Sequence, residues 1–142
     1  MKVLFVCTGN TCRSPMAEAI WNAMAVPHGL PMAKSAGVYA VPGDPATANA
    51  VAAAAEYGGD LANHQAQPVT EALLSEADRV YCMTPSHLSL LQSVCPAYRE
   101  KYALLDPAGI PDPYGGDLAT YLHTAAKIHA ALSALLGEVQ NG

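Results

Sequence analysis

The chain has few basic residues, few aromatic residues and no long apolar run. Only 7 of its 142 residues are lysine or arginine, against 12 aspartates and glutamates, so the formal net charge is −5. This balance argues against a protein that binds nucleic acid through a basic surface. Aromatic residues make up only 6% of the sequence, and 27 alanines supply much of its 51% hydrophobic content. That content still excludes a disordered chain and predicts a core rich in small side chains.

Membrane and secretory segments are also missing from the sequence. No apolar run approaches the roughly 18 residues that a membrane span needs. The apolar segment at residues 3–6 is too short for the core of a signal peptide. We therefore expect a cytoplasmic protein that does not associate with membranes, and in that compartment its four cysteines should be reduced thiols. The length predicts one domain over residues 1–142.

Short strand-like segments alternate with helical ones along the chain. The first is an apolar run without alternation, as in strands that are buried on both faces. The predicted strands cover residues 3–6, 32–38, 79–83 and 101–105. The predicted helices begin at Pro15 and end by Gly29, cover residues 46–57, follow Thr70 through residue 77, follow Thr84 through residue 95, and begin again at Leu118. This alternation predicts an α/β fold with a parallel sheet, in which ligands bind beyond the carboxyl ends of the strands.

The loop after the first strand carries the residues most suited to chemistry. Cys7 and Arg13 enclose five small residues, and Ser14 follows directly. A loop between a strand and the start of a helix can turn several backbone N–H groups towards an anion. The guanidinium of Arg13 can donate two parallel hydrogen bonds to two oxygens of a phosphate. Gly9 is expected to take a backbone conformation that other residues resist. The positive end of the helix and the Arg13 guanidinium should lower the pKa of the Cys7 thiol, and the Ser14 hydroxyl can donate a hydrogen bond to the thiolate. The spacing therefore predicts nucleophilic attack on a bound phosphoryl group.

Other interpretations of this loop fit the sequence less well. A Walker A loop needs Gly-Lys-Ser/Thr, which the segment lacks. Cys7 and Cys12 have the wrong spacing for a zinc knuckle, and no second ligand pair follows them. The spacing therefore supports neither a nucleotide-binding loop nor a zinc knuckle here. The alternative to a functional site is a buried cysteine that happens to lie near an unrelated arginine and has no chemical role.

Residues 6–18, VCTGNTCRSPMAE, resemble the signature of the low-molecular-weight protein tyrosine phosphatase family. The resemblance extends over essentially the whole chain. It includes Ser35-Ala36-Gly37, His64 in an Asn-His-x-Ala stretch, and the Asp-Pro-aromatic loop at residues 112–114. It implies one domain with a four-stranded parallel sheet flanked by helices on both faces. It also implies a phosphocysteine intermediate and neither metal nor cofactor.

The resemblance also implies the roles of individual residues. Cys7 becomes the nucleophile, and Arg13 binds the phosphate and the transition state. Asp112 becomes the general acid for the leaving group and then the base for water, although an aspartate in a Pro-Gly loop is more often only a turn residue. Asp106 is also followed by proline but lacks the aromatic residue after it, so Asp112 is preferred.

The residues between Cys7 and Arg13, together with Ser14, form the predicted phosphate-binding loop. Its members are Thr8, Gly9, Asn10, Thr11, Cys12 and Ser14. By the resemblance, Asn10, Ser35 and His64 hydrogen-bond one another and support the loop; without it, Ser35 and His64 would be interpreted as ordinary turn and loop residues. The family also implies that Cys12 can form a reversible disulfide with Cys7 under oxidation. Cys82 and Cys95 are predicted to be packing residues.

Two threonines in the loop bear on the substrate. Tyrosine-directed members usually carry bulky aliphatic residues where this chain has Thr8 and Thr11. The segment at residues 7–14 resembles the protein arginine phosphatase branch, in which threonine at the second position favours phosphoarginine. Phosphotyrosine remains the alternative, because Tyr114, and less clearly Tyr39, could stack on a phenol as well as on a guanidinium.

Two further functions occur on related scaffolds or with related loops. Arsenate reductases need cysteines that relay a disulfide outward, and Cys82 and Cys95 lie in regular elements instead. A phosphate-binding module without turnover should lack the nucleophile or the acid, and this chain has both. We therefore expect a monomeric protein phosphatase that acts on phosphorylated proteins and releases inorganic phosphate.

Overall fold

Four parallel strands form the central sheet of the computed structural model, which describes residues 1–141. The strands are β1 (Val3–Cys7), β2 (Lys34–Gly37), β3 (Arg79–Cys82) and β4 (Tyr102–Leu104). They lie in the order β2-β1-β3-β4, so β1 is central and pairs with both β2 and β3. The register places Cys7 beside Gly37, at the carboxyl ends of β1 and β2.

Five helices connect and flank these strands within residues 1–141. They are α1 (Arg13–Ala25), α2 (Ala48–Ala55), α3 (Glu71–Glu76), α4 (Pro85–Val94) and α5 (Leu118–Asn141). Short 3-10 turns cover Val26–His28 and Pro96–Lys101. Every strand and helix predicted from the sequence is present, and the ends differ by one or a few residues. The α/β fold with a four-stranded parallel sheet is therefore confirmed.

Helices cover both faces of the sheet, because β1 is apolar on both sides. Val3 and Phe5 belong to one buried cluster, which includes the apolar faces of α1, α2 and α5. Leu4 and Val6 point the other way, into a second cluster with α3 and α4. The first cluster contains many alanines, and Trp21 of α1 is its largest fully buried side chain.

The starts of the helices differ in one respect that affects the site. A threonine precedes α2, α3 and α4, and in each case its side chain accepts the backbone N–H three residues later. These residues are Thr47, Thr70 and Thr84. The residue before α1 is Cys12, which makes no such hydrogen bond. The first N–H groups of α1 are therefore left for another partner.

None of the helices within residues 1–141 is long and apolar enough to cross a membrane. Across the same residues, no cluster of three or more histidine, cysteine or acidic side chains is arranged to hold a metal ion.

Candidate active site

The loop at residues 8–12 joins β1 to α1 and curls over the end of β2. Its left-handed residue is Asn10, with φ of 57°, whereas Gly9 does not adopt a positive φ. The expectation for Gly9 was therefore wrong, and the strained position is held by asparagine, whose side chain is anchored. Gly37 is the glycine that the loop requires, because a Cβ there would lie 2.5 Å from the Thr8 carbonyl oxygen.

Cys7 lies at the base of this loop, and its side chain is in contact with the first turn of α1. The residue is 3% exposed, and its Sγ lies 2.8 Å from the Ser14 hydroxyl. Backbone N–H groups of Asn10 and Ser14 also hydrogen-bond to the sulfur. The sulfur therefore takes the place that a capping side chain occupies at the other helices.

The pKa of Cys7 differs from the sequence-based expectation. Burial is the largest influence and raises the pKa of the thiol above its ordinary value. Hydrogen bonds from Ser14 and Asn10 and the charge of Arg13 lower the pKa, in the direction that the sequence suggested. The prediction of a lowered pKa was wrong because the sequence shows the stabilising groups but not the depth at which the thiol is buried.

A chain of polar side chains supports the loop from behind. The Asn10 amide is fully buried and donates to the hydroxyls of Ser14 and Ser35, each at 2.9 Å. Ser35 in turn donates to the Glu18 carboxylate. Because the Ser14 oxygen accepts from Asn10, its own hydrogen has two acceptors within reach, the Cys7 sulfur at 2.8 Å and the Ala36 carbonyl at 3.4 Å. The contact with the sulfur is the shorter of the two.

His64 and Gln67 bind the same asparagine from a second side. His64 Nε2 donates to the Asn10 carbonyl at 2.7 Å, and the backbone N–H of Gln67 donates to its Oδ1 at 3.0 Å. The structure thus brings Asn10, Ser35 and His64 together, with Asn10 at the centre. Since Asn10 also has the unfavourable backbone conformation, these bonds hold the loop in one shape.

Arg13 is buried under the opposite wall of the site. It is 5% exposed, and its Nη1 donates to the Ile110 carbonyl at 3.0 Å. Its Nη2 lies 3.7 Å from Oδ2 of Asp112, which is exposed. The other Asp112 oxygen accepts the backbone N–H of Tyr114. The arginine therefore links the base of the site to the loop that carries the predicted general acid.

These residues surround one pocket of about 280 Å³. Its walls are formed by Cys7, Thr8, Gly9, Thr11, Cys12, Arg13, Tyr39, Val41, Asp44, Asp112 and Tyr114. Tyr39 and Tyr114 stand at its mouth, each 72% exposed. Asp106 lines a separate groove beside α5, so only Asp112 of the two Asp-Pro residues lines the pocket that contains Cys7.

The other thiols occupy different surroundings. Cys12 is buried, and its sulfur lies 3.3 Å from the Tyr121 hydroxyl and 3.6 Å from that of Thr47. Both Cys7 and Cys12 are free thiols, so the disulfide between them stays a prediction. Cys82 is fully buried, which raises its pKa to about 12, and Cys95 is partly buried at the end of α4.

Several residues around the site were missed by the sequence analysis. Glu18 and Gln67 complete the support of Asn10, Asp44 lines the pocket, and His87 contacts Thr8. Glu18 lies within the quoted signature, so its spacing from Cys7 was an available signal. His87 comes from a distant part of the chain and could be found only from the fold.

Comparisons with known proteins agree with this geometry. The family model for low molecular weight phosphotyrosine protein phosphatase matches residues 2–142. The chain is 39% identical to a protein-arginine-phosphatase of Bacillus subtilis, over 99% of this chain and 97% of that protein. It is 32% identical to the low molecular weight protein-tyrosine-phosphatase Etp of Escherichia coli, over 91% and 88% of the two chains.

A solved structure extends the similarity to the reacting position. It is a cysteine-to-serine mutant of the YwlE arginine phosphatase, whose active-site serine is phosphorylated. It is 38% identical to this chain with a TM-score of 0.93, and the match covers 99% of this chain and 96% of the other. The chain therefore belongs to the low molecular weight phosphotyrosine protein phosphatase family and is a cysteine-dependent protein phosphatase.

Proposed function

We propose that this chain removes phosphoryl groups from phosphoarginine side chains of proteins. The observation that carries the proposal is the polar wall of the pocket, where Thr11 and the carboxylates of Asp44 and Asp112 accompany the single cation Arg13. The guanidinium part of phosphoarginine offers N–H donors, which carboxylate and hydroxyl oxygens accept. The phenyl ring of phosphotyrosine offers none. The names of two relatives, both protein-arginine-phosphatases, support the same substrate.

In the first step of this mechanism, the thiolate of Cys7 attacks the phosphorus atom and the P–N bond of the substrate breaks. Arg13 and the loop N–H groups bind the phosphoryl oxygens as charge moves onto them. Asp112 gives its proton to the leaving nitrogen, which makes that nitrogen a stable leaving group. Ser14 donates to the Cys7 sulfur and stabilises the thiolate before attack.

The second step hydrolyses the phosphocysteine. Asp112, now a carboxylate, takes a proton from a water molecule as that water attacks phosphorus. The S–P bond breaks, inorganic phosphate leaves, and the Cys7 thiolate is restored. No metal or cofactor is required for either step, and the acid and the base are the same side chain.

Phosphotyrosine is the second candidate substrate, because the mouth of the pocket can also accept its phenyl ring. Tyr39, Val41 and Tyr114 form an exposed apolar rim, against which a phenyl ring could stack. The same rim can stack on a guanidinium plane. The rim therefore does not choose between the two substrates, and our proposal assigns that choice to Thr11.

Thr11→Ile tests this choice, because it replaces a hydroxyl with an aliphatic wall at the same branched position. We expect the ratio of kcat/KM on phosphotyrosine to kcat/KM on phosphoarginine peptides to rise by about tenfold. Initial rates on matched peptides measure both values. Thr70→Ile, at the start of α3, is the control for an added aliphatic side chain away from the pocket.

Two outcomes would overturn the proposed specificity. One is an unchanged substrate ratio in Thr11→Ile. The other is a parent enzyme that hydrolyses phosphotyrosine peptides and leaves phosphoarginine peptides intact. A Cys7→Ser enzyme included in every assay shows whether the measured turnover belongs to this site at all.

The remaining parts of the proposal concern the setting of the reaction. The enzyme works in the cytoplasm as a monomer on a phosphorylated protein, with inorganic phosphate as its product. Its net charge of −5 gives no broad attraction for nucleic acid or for an anionic membrane surface. Size-exclusion chromatography with light scattering at working concentration tests the monomer, and a dimer would contradict it.

A further inference from the structure

His87 is a buried histidine that joins the start of α4 to the phosphate-binding loop. It is 5% exposed, and its Nδ1 lies 3.0 Å from the hydroxyl of Thr84, the residue before α4. Its Nε2 lies 2.8 Å from the hydroxyl of Thr8, which comes 79 residues earlier in the chain. Both ring nitrogens are therefore used, one within its own helix and one across to the site.

The ring is neutral over the ordinary working range of an enzyme. Burial and the nearby positive charge of Arg13 lower the pKa of His87 to about 4, while Asp112 opposes this shift. A neutral imidazole has one donor and one acceptor nitrogen, so it matches two hydroxyl groups, each of which can donate or accept. The ring therefore fixes two threonine side chains at once.

Thr8 follows the nucleophile directly and lines the pocket. Its backbone carbonyl accepts the N–H of Tyr39, which holds the main chain. Its exposed side chain would otherwise be free to rotate, and the bond to His87 is the contact that restrains it. Without that bond, the hydroxyl and the methyl group of Thr8 could exchange places on the pocket wall.

We propose that His87 is a positioning residue for catalysis, which holds the Thr8 side chain and thereby the wall of the pocket next to Cys7. A role limited to the helix start would explain only the Nδ1 contact with Thr84. The Nε2 contact reaches a residue outside that helix and adds nothing to its cap. The inference rests on the proposed role of Cys7 and on no particular choice of substrate.

The two ring contacts can be separated by substitution. The amide of His87→Asn reaches about as far as Nδ1, so this variant keeps the Thr84 contact and loses the Thr8 contact. The amide of His87→Gln reaches about as far as Nε2 and can restore the Thr8 contact. Thr8→Val removes the hydroxyl from the other partner without changing the shape of the side chain. His123→Asn, at an exposed position of α5, is the control for the same chemical change.

We expect His87→Asn and Thr8→Val each to lower kcat/KM on p-nitrophenyl phosphate by about fivefold, the effect of one neutral hydrogen bond. The double variant should fall by the same factor as either single variant, because both remove one interaction. His87→Gln should recover activity to within about twofold, and His123→Asn should match the parent. The Thr8→Val variant should also shift the 15N resonance of the His87 Nε2, whereas Thr8→Ser should not.

Multiplied losses of about 25-fold in the double variant would overturn the inference, as would full activity in His87→Asn. If His87→Asn does not fold, the 15N comparison of Thr8→Val with Thr8→Ser decides alone, and an unchanged Nε2 resonance overturns the inference. The Cys7→Ser enzyme separates this failure from that of the proposed function. Turnover that survives Cys7→Ser contradicts the proposed nucleophile, whereas independent losses at Thr8 and His87 contradict only the present inference.

Discussion

The helices α1 and α4 start at equivalent places in the fold but end up with different chemistry. Each follows the carboxyl end of a central strand, α1 after β1 and α4 after β3, and these strands are paired. Thr84 caps the first turn of α4, whereas α1 has no side-chain cap. At α1 the Cys7 sulfur and the loop take that place. The free N–H groups at the uncapped start of α1 can bind an anion. The capped start of α4 instead holds His87 against the phosphate-binding loop.

The comparison also explains how an acidic protein handles a phosphoryl group. Arg13 is the single basic side chain on the pocket, and the other positive groups are backbone N–H groups of the loop and of α1. These groups act at short range and do not appear in a charge count. The net charge of −5 therefore describes the surface and not the site.

Among the changes that test the difference between the two helix starts, Asp112→Ala should have the largest effect on kcat/KM. Asp112 lies 3.7 Å from Arg13, so the chemistry at α1 should depend on it. We expect kcat/KM to fall by about 10²- to 10³-fold on phenyl phosphate, whose leaving group needs a proton. The loss on p-nitrophenyl phosphate should be smaller, because that leaving group departs readily without one. Steady-state rates on both substrates measure the difference.

Asp106→Ala is the matched control for this change, since Asp106 is also followed by proline but lines a different groove. It should keep the activity of the parent on both substrates. Equal losses in Asp112→Ala on the two aryl phosphates would show that Asp112 does not supply the proton.

The pH dependence of stability tests the role of His87 at the start of α4. The lowered pKa of His87, about 4 against an ordinary 6.5, means that the fold favours the neutral ring. The unfolded chain takes up a proton between about pH 6.5 and pH 4 while the folded chain does not, so stability is lost as the pH falls through this window. We expect this residue to account for about 2 to 3 kcal/mol of that loss.

His87→Gln isolates the contribution, because its side chain does not titrate. Urea unfolding of the parent and of His87→Gln at pH 7, 5.5 and 4 should show the parent losing more stability than the variant. The charged groups that face the ring are Arg13 and Asp112, and both are present in the two proteins. Parallel losses in the two proteins would mean that His87 is charged in the folded state.

The smallest expected effect distinguishes Thr70, which only caps its helix, from Thr84, which caps its helix and also contacts His87. Thr84→Ala and Thr70→Ala each remove a capping hydroxyl, and each should cost about 1 kcal/mol of unfolding free energy. Only Thr84 also contacts His87, so only Thr84→Ala should lower kcat/KM, by about twofold to fivefold. Thermal unfolding and initial rates check both statements. A kinetic loss of the same size in Thr70→Ala would remove the distinction.

Local sequence patterns were enough to predict the elements of the fold and the residues nearest the reaction. The apolar run at residues 3–6 cannot be exposed, and the spacing from Cys7 to Arg13 spans one loop and the start of one helix. The resemblance to the family, through its Asp-Pro-aromatic loop, predicted Asp112 rather than Asp106 as the general acid, and of the two only Asp112 lines the pocket of Cys7. These features depend on neighbours in the chain, which a sequence displays.

Features that depend on distant segments were missed or predicted wrongly, except where the family resemblance supplied them, as it did for the contacts of Asn10 with Ser35 and His64. Asn10 accepts the left-handed conformation because Ser35, His64 and Gln67 hold it, and none of these is near it in the chain. The direction of the Cys7 pKa depends on burial under elements that close over it. His87 reaches Thr8 only because β1 and β3 are neighbours in the sheet.

The most direct test of the account is to trap the phosphoenzyme. Asp112→Ala should slow the hydrolysis of the intermediate but not its formation from p-nitrophenyl phosphate, whose leaving group departs without a proton. This substrate mixed with the variant and quenched rapidly should therefore leave a phosphoryl group on the enzyme. Mass spectrometry of the digested protein locates that group. The account predicts phosphorylation of the peptide that contains Cys7, at its sulfur. A phosphoryl group on any other residue, or release of phosphate with no phosphoenzyme at any time, would contradict the assignment of the α1 start as the catalytic centre.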